Sequence, residues 1–521
     1  MALSAGTTAA HHTDKYDLKG SAVEGFAVVR RGQPFSVDVT FKSGNVGAKT
    51  KLAVLEPDFV KITAQSAPDN NVISIVLSTD VTARVGKVDI VIGVASGTSK
   101  ATLSTALLFN PFLQADTAVY MGDVPTAEYL ENDYGRVYLG SINNYNTVPW
   151  YYGSQQGSTL ATALYLIDTV RPSSSGRSGY PLDQSDARMV ARHLTFALTD
   201  QRENDNAVLQ GNWSGDFSGG TEPTYWTAST QIFEKYWEQN NQVVKYGQCW
   251  VFGAVLTSTL RSIGIGARQL TTFESAHESP DKDGNYSHII YNYFDDTTHK
   301  LAYRTGSVWN FHSWVEAYLG RPDLKAGASG WQAVDATPQE QSDGLMRMGP
   351  ASVKLIHDDV HTSYDVPFVV SEVASKIHSG LAHCTGSGRS RSCKPTKDLG
   401  EDAEQNVAGL IVTKAEGKTG SINDITDFYH DTTPTPAQPM LLGSKREHTH
   451  EDLKVARWHK MVSRHVDRAI ARMNERSTRT RGVLGPKTGN GSRFEVMLTA
   501  RPTLMGMPMP ISALFFGDPA Q

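Results

Sequence analysis

Three side chains in this chain have the types and spacing to do covalent chemistry. The run Lys245-Tyr246-Gly247-Gln248-Cys249-Trp250-Val251-Phe252 sets a cysteine where a polar turn gives way to the apolar, helix-like stretch from Val251 to Leu256. A thiol at a helix N-terminus faces unpaired N–H groups and the positive end of the helix dipole, which favour its thiolate. Further on, Trp309-Asn310-Phe311-His312-Ser313-Trp314 offers an imidazole, and Gly330-Trp331-Gln332-Ala333-Val334-Asp335-Ala336-Thr337-Pro338 offers a carboxylate. The order Cys249, His312, Asp335 suits acyl transfer through a thioester: a thiolate attacks, an imidazole protonates the leaving group, and a carboxylate orients the imidazole and favours its charged form. Taken singly, each residue is a weak signal, because a cysteine ahead of an apolar helix is more often simply buried.

The words around the trio are more specific than the trio itself. They resemble the animal transglutaminases of the tissue and clotting-factor type, in which Tyr-Gly-Gln-Cys-Trp-Val-Phe carries the nucleophile, Trp-Asn-Phe-His the base and Gly-Trp-Gln-Ala-x-Asp the orienting carboxylate. The resemblance runs from about Asp17 to about Ala500, with Val148-Pro149-Trp150-Tyr151-Tyr152-Gly153 as a further landmark. It implies a calcium-dependent protein-glutamine gamma-glutamyltransferase, with glutamine-donor and lysine-donor proteins or primary amines as partners and isopeptide crosslinks as products. A papain-like protease or a glutamine deamidase would use the same trio and finish with water. A catalytically inactive structural scaffold is the alternative from another class, and the intact trio argues against it.

Two donors could face the developing oxyanion: the backbone N–H of Cys249 and an indole N–H, since tryptophan donates and never accepts. The resemblance assigns transition-state stabilisation to Trp213, in the phrase Gly211-Asn212-Trp213, with Trp226 either beside the acyl-acceptor tunnel or in the core. Trp250, Trp309 and Trp314 are available as dry walls around the thioester or as ordinary core.

Calcium is the implied cofactor. The loop Asp281-Lys282-Asp283-Gly284-Asn285-Tyr286-Ser287 presents oxygen ligands at alternate positions, with a glycine for the turn, although such a loop can equally be a solvated turn. It resembles one of the family's three calcium sites, whose later aspartate corresponds to Gly306 here. Gln201, Glu203 and Asp205 fall where a second site lies. At the third, an asparagine corresponds to Ala374 and a glutamate to Leu442, which leaves Glu447. Fewer or weaker sites than usual are expected. Arg481 matches one arginine of the nucleotide site of tissue-type relatives, and GTP binding is not expected.

These residues need a large scaffold. A length of 521 residues predicts roughly two to four domains. From Asp17 to Asn110 short β-type runs alternate apolar and polar residues around Phe35 and Val88, as a half-buried sheet requires. The expected organisation is multidomain: an immunoglobulin-like β-sandwich over 1–112, an α+β papain-like (cysteine-protease-like) catalytic core over 113–460, a basic helix and linker over 461–488, and a fragment of the first C-terminal β-barrel over 489–521.

A formal charge of −5 and a pI near 6.4 give no reason to expect a nucleic-acid partner. With 39% apolar and 20% charged residues and a mean hydropathy of −0.34, the composition is that of an ordinary globular protein. No apolar run approaches the ~20 residues of a membrane span, and the start does not read as a signal peptide, so a cytoplasmic protein is expected. The chain has three cysteines. In a reducing compartment, Cys384 and Cys393 are expected as exposed thiols, with a regulatory disulfide closing their polar loop as the alternative.

Overall fold

Strand Phe35–Thr40 alternates buried and exposed residues along its whole length, so one face carries Phe35, Val37 and Val39 into a core and the other meets water. The computed structural model describes residues 1–430 except 7, 43–45, 173–181, 202, 203, 205, 282, 283, 340, 363, 403–406 and 418–421, together with the backbone of strands Glu495–Ala500 and Ile511–Phe516. Glu203, Asp205, Asp283, Leu442, Glu447, Arg481 and the basic segment from Glu451 lie outside the described residues.

Phe35–Thr40 belongs to a four-stranded sheet with Ala2–Ser4, Val72–Thr79 and Val60–Gln65. A second sheet orders Ala27–Arg30, Lys100–Leu108, Gly86–Val94 and Leu52–Glu56. Residues from both sheets share one apolar cluster that includes Val29, Val37, Ile75, Leu77, Val88 and Ile90, which makes this part a β-sandwich. The continuous run from Ala27 to Phe41 divides into two strands in different sheets, separated by the turn at Arg31–Pro34.

The sandwich grips the next part of the chain through buried charge. Arg31, 2% exposed, forms a fork with both oxygens of Asp116 at 2.7 and 2.6 Å and donates to the Ser185 carbonyl. A buried guanidinium is tolerable only when paired this completely. The Tyr16 hydroxyl donates to the Ser262 carbonyl at 2.7 Å, and Phe109 N–H donates to Ile263 O at 3.0 Å, so the sandwich also caps the end of helix Cys249–Ser262.

All fourteen residues of that helix are buried, as expected for a helix enclosed by its own domain. Its hydroxyls return to its own backbone: Thr257, Ser258 and Thr259 donate to carbonyls one turn earlier. Beside it runs a sheet ordered Met348–Ser352, Gly330–Asp335, Val315–Leu319, Ala267–Glu278, Leu410–Lys414, Ile422–Asp424. The long strand Ala267–Glu278 pairs antiparallel with Val315–Leu319 over its first residues and with Gly306–His312 from Thr272 onward. Helices on an antiparallel-rich sheet make this an α+β core, and a helix with cysteine at its start against the strands that carry histidine and aspartate is the papain-like arrangement.

A smaller sheet orders Leu301–Arg304, Ile289–Asp295, Lys376–Thr385 and Ser392–Glu401. Here the structure corrects the expectation of two separate thiols. Cys384 and Cys393 are direct partners across the last two strands, 4.1 Å apart at Cα, and are joined as a disulfide. The loop between them is a hairpin turn whose register sets the cysteines opposite each other.

Met1–Asp467 and Arg468–Gln521 are separate units. In the second, Glu495–Ala500 pairs antiparallel with Ile511–Phe516, from Glu495 opposite Phe516 to Ala500 opposite Ile511. That is a two-stranded ribbon within the stretch expected as a barrel fragment.

Candidate active site

Cys249 is the first residue of its helix, and Gln248 before it has extended backbone angles. The Gln248 side chain does not cap the helix; its Nε2 donates instead to Asn212 O at 2.9 Å and ties the cysteine turn to the segment that carries Trp213. The helix start therefore keeps backbone N–H groups directed at the space beside the thiol. Cys249 is 7% exposed and is the only cysteine outside the disulfide.

His312 ends strand Gly306–His312 and Asp335 ends strand Gly330–Asp335. Their side chains meet at 2.8 Å between Nε2 and Oδ2. The other carboxylate oxygen of Asp335 accepts from Thr337 N–H at 2.7 Å, which fixes its orientation. Burial opposes a charge on His312, but the charge and hydrogen bond of Asp335, a hydrogen bond with the Cys249 thiol and the charge of Glu372 outweigh it. The imidazole is held well above its ordinary 6.5, in its cationic form. His312 and Asp335 are thus hydrogen-bonded, and Cys249, lining the same pocket, completes the line.

Gln269, on strand Ala267–Glu278, sets the distance between helix and sheet. Its Nε2 donates to Trp250 O at 2.8 Å and Ser313 Oγ at 3.0 Å, which joins the first turn of the cysteine helix to the residue after His312. Gly253 makes room for it, since a Cβ there would lie 2.9 Å from Gln269 Nε2.

A second carboxylate approaches the imidazole. Glu372, 1% exposed on helix Val366–Ala374, has Oε1 3.8 Å from His312 Nε2. Gln339 Nε2 lies between the acids, 3.1 Å from Asp335 Oδ2 and 3.0 Å from Glu372 Oε1, and screens one from the other. His277 borders the same space; burial and then the charge of His312 push its ring below 6.5. Sequence reading missed Gln269, Gln339, Glu372 and His277. Gln339 alone had a local signal, standing four residues after the aspartate.

The pocket over the thiol holds about 330 Å³ and is lined by Trp213, Cys249, Trp250, His277, Trp309 and His312, among others. A larger cleft of about 530 Å³, beside Arg192 and Tyr364, contains none of the trio. The tryptophans separate: Trp213, Trp250 and Trp309 line the pocket, whereas Trp314 is fully buried with Nε1 donating to the Tyr429 hydroxyl at 3.1 Å. Trp226 is 5% exposed and donates to Tyr246 O at 2.8 Å, a packing position.

Residues 218–336, which contain all three members of the line, match the model of the transglutaminase-like superfamily. Human protein-glutamine gamma-glutamyltransferase E is 33% identical over 447 residues, covering 81% of this chain and 61% of the relative. The chain carries a transglutaminase-like domain and is similar to a transglutaminase over four-fifths of its length. The human coagulation factor XIII A chain is also 33% identical, over 463 residues, with 80% of this chain and 57% of that one covered. Among solved structures, red sea bream transglutaminase superposes with a TM-score of 0.69 at 27% identity, covering 84% of this chain and 66% of its own. The chain thus spans about three-fifths of the length of these curated relatives.

The described part of the acidic loop is a closed turn. Asp281 Oδ1 accepts from Asn285 N–H at 2.9 Å, and Gly284 N–H returns to Asp281 O. Asn285 turns its amide Nδ2 to the Asp281 carboxylate, 3.4 Å from Oδ1 and 3.3 Å from Oδ2, so of the two side chains Asp281 supplies the oxygens that a hard cation would take. Ser287 is turned away, its N–H and hydroxyl both donating to Glu278 Oε1. Gly306 cannot be replaced by an acidic ligand without rearrangement, because a Cβ there would lie 2.7 Å from His277 O and 2.9 Å from Ile290 Cγ1. At the expected second site, Gln201 is engaged with Met346, donating at 3.0 Å and accepting at 2.7 Å. Ala374, at the third, ends the helix that carries Glu372.

Proposed function

We propose that this chain is a protein-glutamine gamma-glutamyltransferase that forms glutamyl-lysine isopeptide bonds, or incorporates primary amines, through a thioester on Cys249. The observation that carries the reading is the buried line Cys249, His312, Asp335 at the start of a helix, under a pocket walled by Trp213, Trp250 and Trp309. The human relative's name states the same reaction.

In this reading the Cys249 sulfur attacks the γ-carboxamide carbon of a substrate glutamine. The carbonyl electrons move to oxygen, which faces the Cys249 N–H and the Trp213 indole. The tetrahedral intermediate collapses as cationic His312 gives its proton to the departing nitrogen, so ammonia leaves and a thioester remains. A neutral primary amine then attacks the thioester carbon. His312 accepts the amine proton and the thiolate is released with the new amide. Asp335 keeps the imidazole oriented throughout. Aromatic walls reduce access for water, whose attack would give deamidation instead.

Calcium belongs to the proposal as an activator that Asp281, Asp283 and Asn285 would hold, Ser287 being engaged by Glu278, with Glu203, Asp205 and Glu447 as further ligands. It supplies charge neutralisation that orders the loop and takes no part in the covalent steps. Labelled primary amine incorporation into casein, with and without calcium, tests the reading. Calcium-dependent labelling with ammonia release supports it; cleavage of casein, or ammonia release without labelling, would replace it with the protease or the deamidase.

A further inference from the structure

Away from the thiol, three metal-ligating side chains converge on the surface. Ligand atoms of His288, Asp359 and His361 all lie within 4.8 Å of one another. His361 Nε2 and Asp359 Oδ1 are 3.0 Å apart, and the two imidazole rings are 5.3 Å apart at 71°. The surface pair His361–Asp359 alone would be an ordinary exposed ion pair. His288 changes that reading: its Nε2 is buried and has no hydrogen-bond partner among the described residues. A buried ring nitrogen left in that state is costly unless something binds it.

We propose that His288, Asp359 and His361 form a binding site for a divalent transition-metal cation of the zinc type, with a fourth position open to water or a ligand. Two imidazole nitrogens and one carboxylate select zinc, copper or nickel over hard cations such as calcium. Ligands at 2.0–2.1 Å from a tetrahedral ion stand about 3.3 Å from each other. The His361–Asp359 pair is already near that separation, and the approach to His288 falls to side chains that are 53% and 64% exposed on a turn.

The backbone prepares the arrangement. His288 has a left-handed φ of 55°, with its N–H donating to Glu278 Oε2 at 2.9 Å and its carbonyl accepting from Lys376 N–H at 2.9 Å. Its ring therefore projects from a fixed point. Asp359 and His361 sit on the turn between helices Val353–His357 and Val366–Ala374, where Asp359 N–H donates to Ile356 O and Val360 N–H to Leu355 O. The adjacent Asp358 is paired with Lys354 and Lys325, which leaves Asp359 as the carboxylate directed at the histidines. A bound ion would tie the start of strand Ile289–Asp295 to the turn leading into the helix that carries Glu372.

The test uses the full chain carrying Cys249→Ala, because the active-site thiol and imidazole are themselves zinc ligands. After chelator treatment, zinc chloride titrated by calorimetry is expected to bind once at this site, and cobalt(II) is expected to give visible absorption bands. His361→Ala and Asp359→Asn should each weaken zinc binding by roughly tenfold or more and abolish the cobalt bands. His383→Ala, an exposed histidine paired with Asp296, should leave both unchanged. His361 is exposed, so its variant keeps the test decisive even where His288→Ala fails to fold. Unchanged zinc affinity and cobalt bands in His361→Ala and Asp359→Asn, or no zinc binding tighter than about 100 µM in the parent, overturns the proposal.

Discussion

Gln269→Leu separates the positioning of the thiol from its chemistry. The side chain is 4% exposed; Nε2 donates to Trp250 O and Ser313 Oγ, and Oε1 accepts from the Tyr152 hydroxyl at 3.3 Å. Leucine keeps most of the volume beside Gly253 and deletes all three bonds. Ser313 still donates to Leu270 O at 2.7 Å, so the loss at Ser313, like that at the Trp250 carbonyl, stays near ~1 kcal/mol. The Tyr152 hydroxyl is buried and loses an acceptor, which adds about 1–2 kcal/mol. The sum, about 3–4 kcal/mol, corresponds to a fall of roughly 6–8 °C in the melting of the core. Because the same bonds hold the first turn of the cysteine helix against the residue after His312, a shift of ~1 Å between thiol and imidazole should lower kcat by up to ~10². KM should change little, since Trp213 and Trp309 are untouched. Calorimetry and amine-incorporation kinetics on one preparation read both effects. A lowered melt with parental kcat would make Gln269 a purely structural residue, and an unchanged melt would refute the account of how helix and sheet are joined.

Other substitutions probe single roles. Trp213→Phe keeps most ring packing and removes the indole donor, so kcat for amine incorporation should fall by ~10²–10³ with KM nearly constant; a parental kcat removes Trp213 from the oxyanion site. Asp335→Asn should lower kcat severely and also change stability in a pH-dependent way. His312 is raised in the folded chain, so its contribution is fully present below its unfolded value of about 6.5 and is lost as pH rises through the folded value. The urea-melt gap between parent and Asp335→Asn should therefore be widest near about pH 6 and close on the alkaline side; a gap that widens with pH would contradict the cationic imidazole. Asp281→Asn combined with Asp283→Asn should raise the calcium needed for half-maximal activity without moving the metal-free melt, and an unchanged calcium response shifts the activating site to Glu203 and Asp205.

What could be read from the sequence divides along a physical line. The trio was legible because each member sits in a contiguous phrase whose local structure, a helix start or a strand end, is set by its neighbours. The sandwich was legible from alternation at Phe35–Thr40 and Gly86–Val94. Gln269, His277 and Glu372 were not, since each reaches the site from an element whose place is fixed by long-range pairing, and a buried glutamine or glutamate has no distinguishing periodicity. Likewise the Cys384–Cys393 bridge depends on a hairpin register that a polar, glycine-rich stretch does not announce. Trp314, which the sequence left open between pocket wall and core, stands in the link between strands Gly306–His312 and Val315–Leu319 and is fully buried against Tyr429, a contact 115 residues away that no local pattern announces.

The covalent intermediate offers the most direct measurement. The full chain is incubated with calcium and a glutamine-containing dipeptide without added amine, quenched in acid, and digested for mass spectrometry. The expected product is the peptide containing Cys249 carrying the dipeptide minus ammonia, absent from Cys249→Ala and discharged when a primary amine is added before the quench. An acyl group on another residue, or a cleaved dipeptide with no adduct on Cys249, would contradict the assignment of this thiol as the acyl carrier.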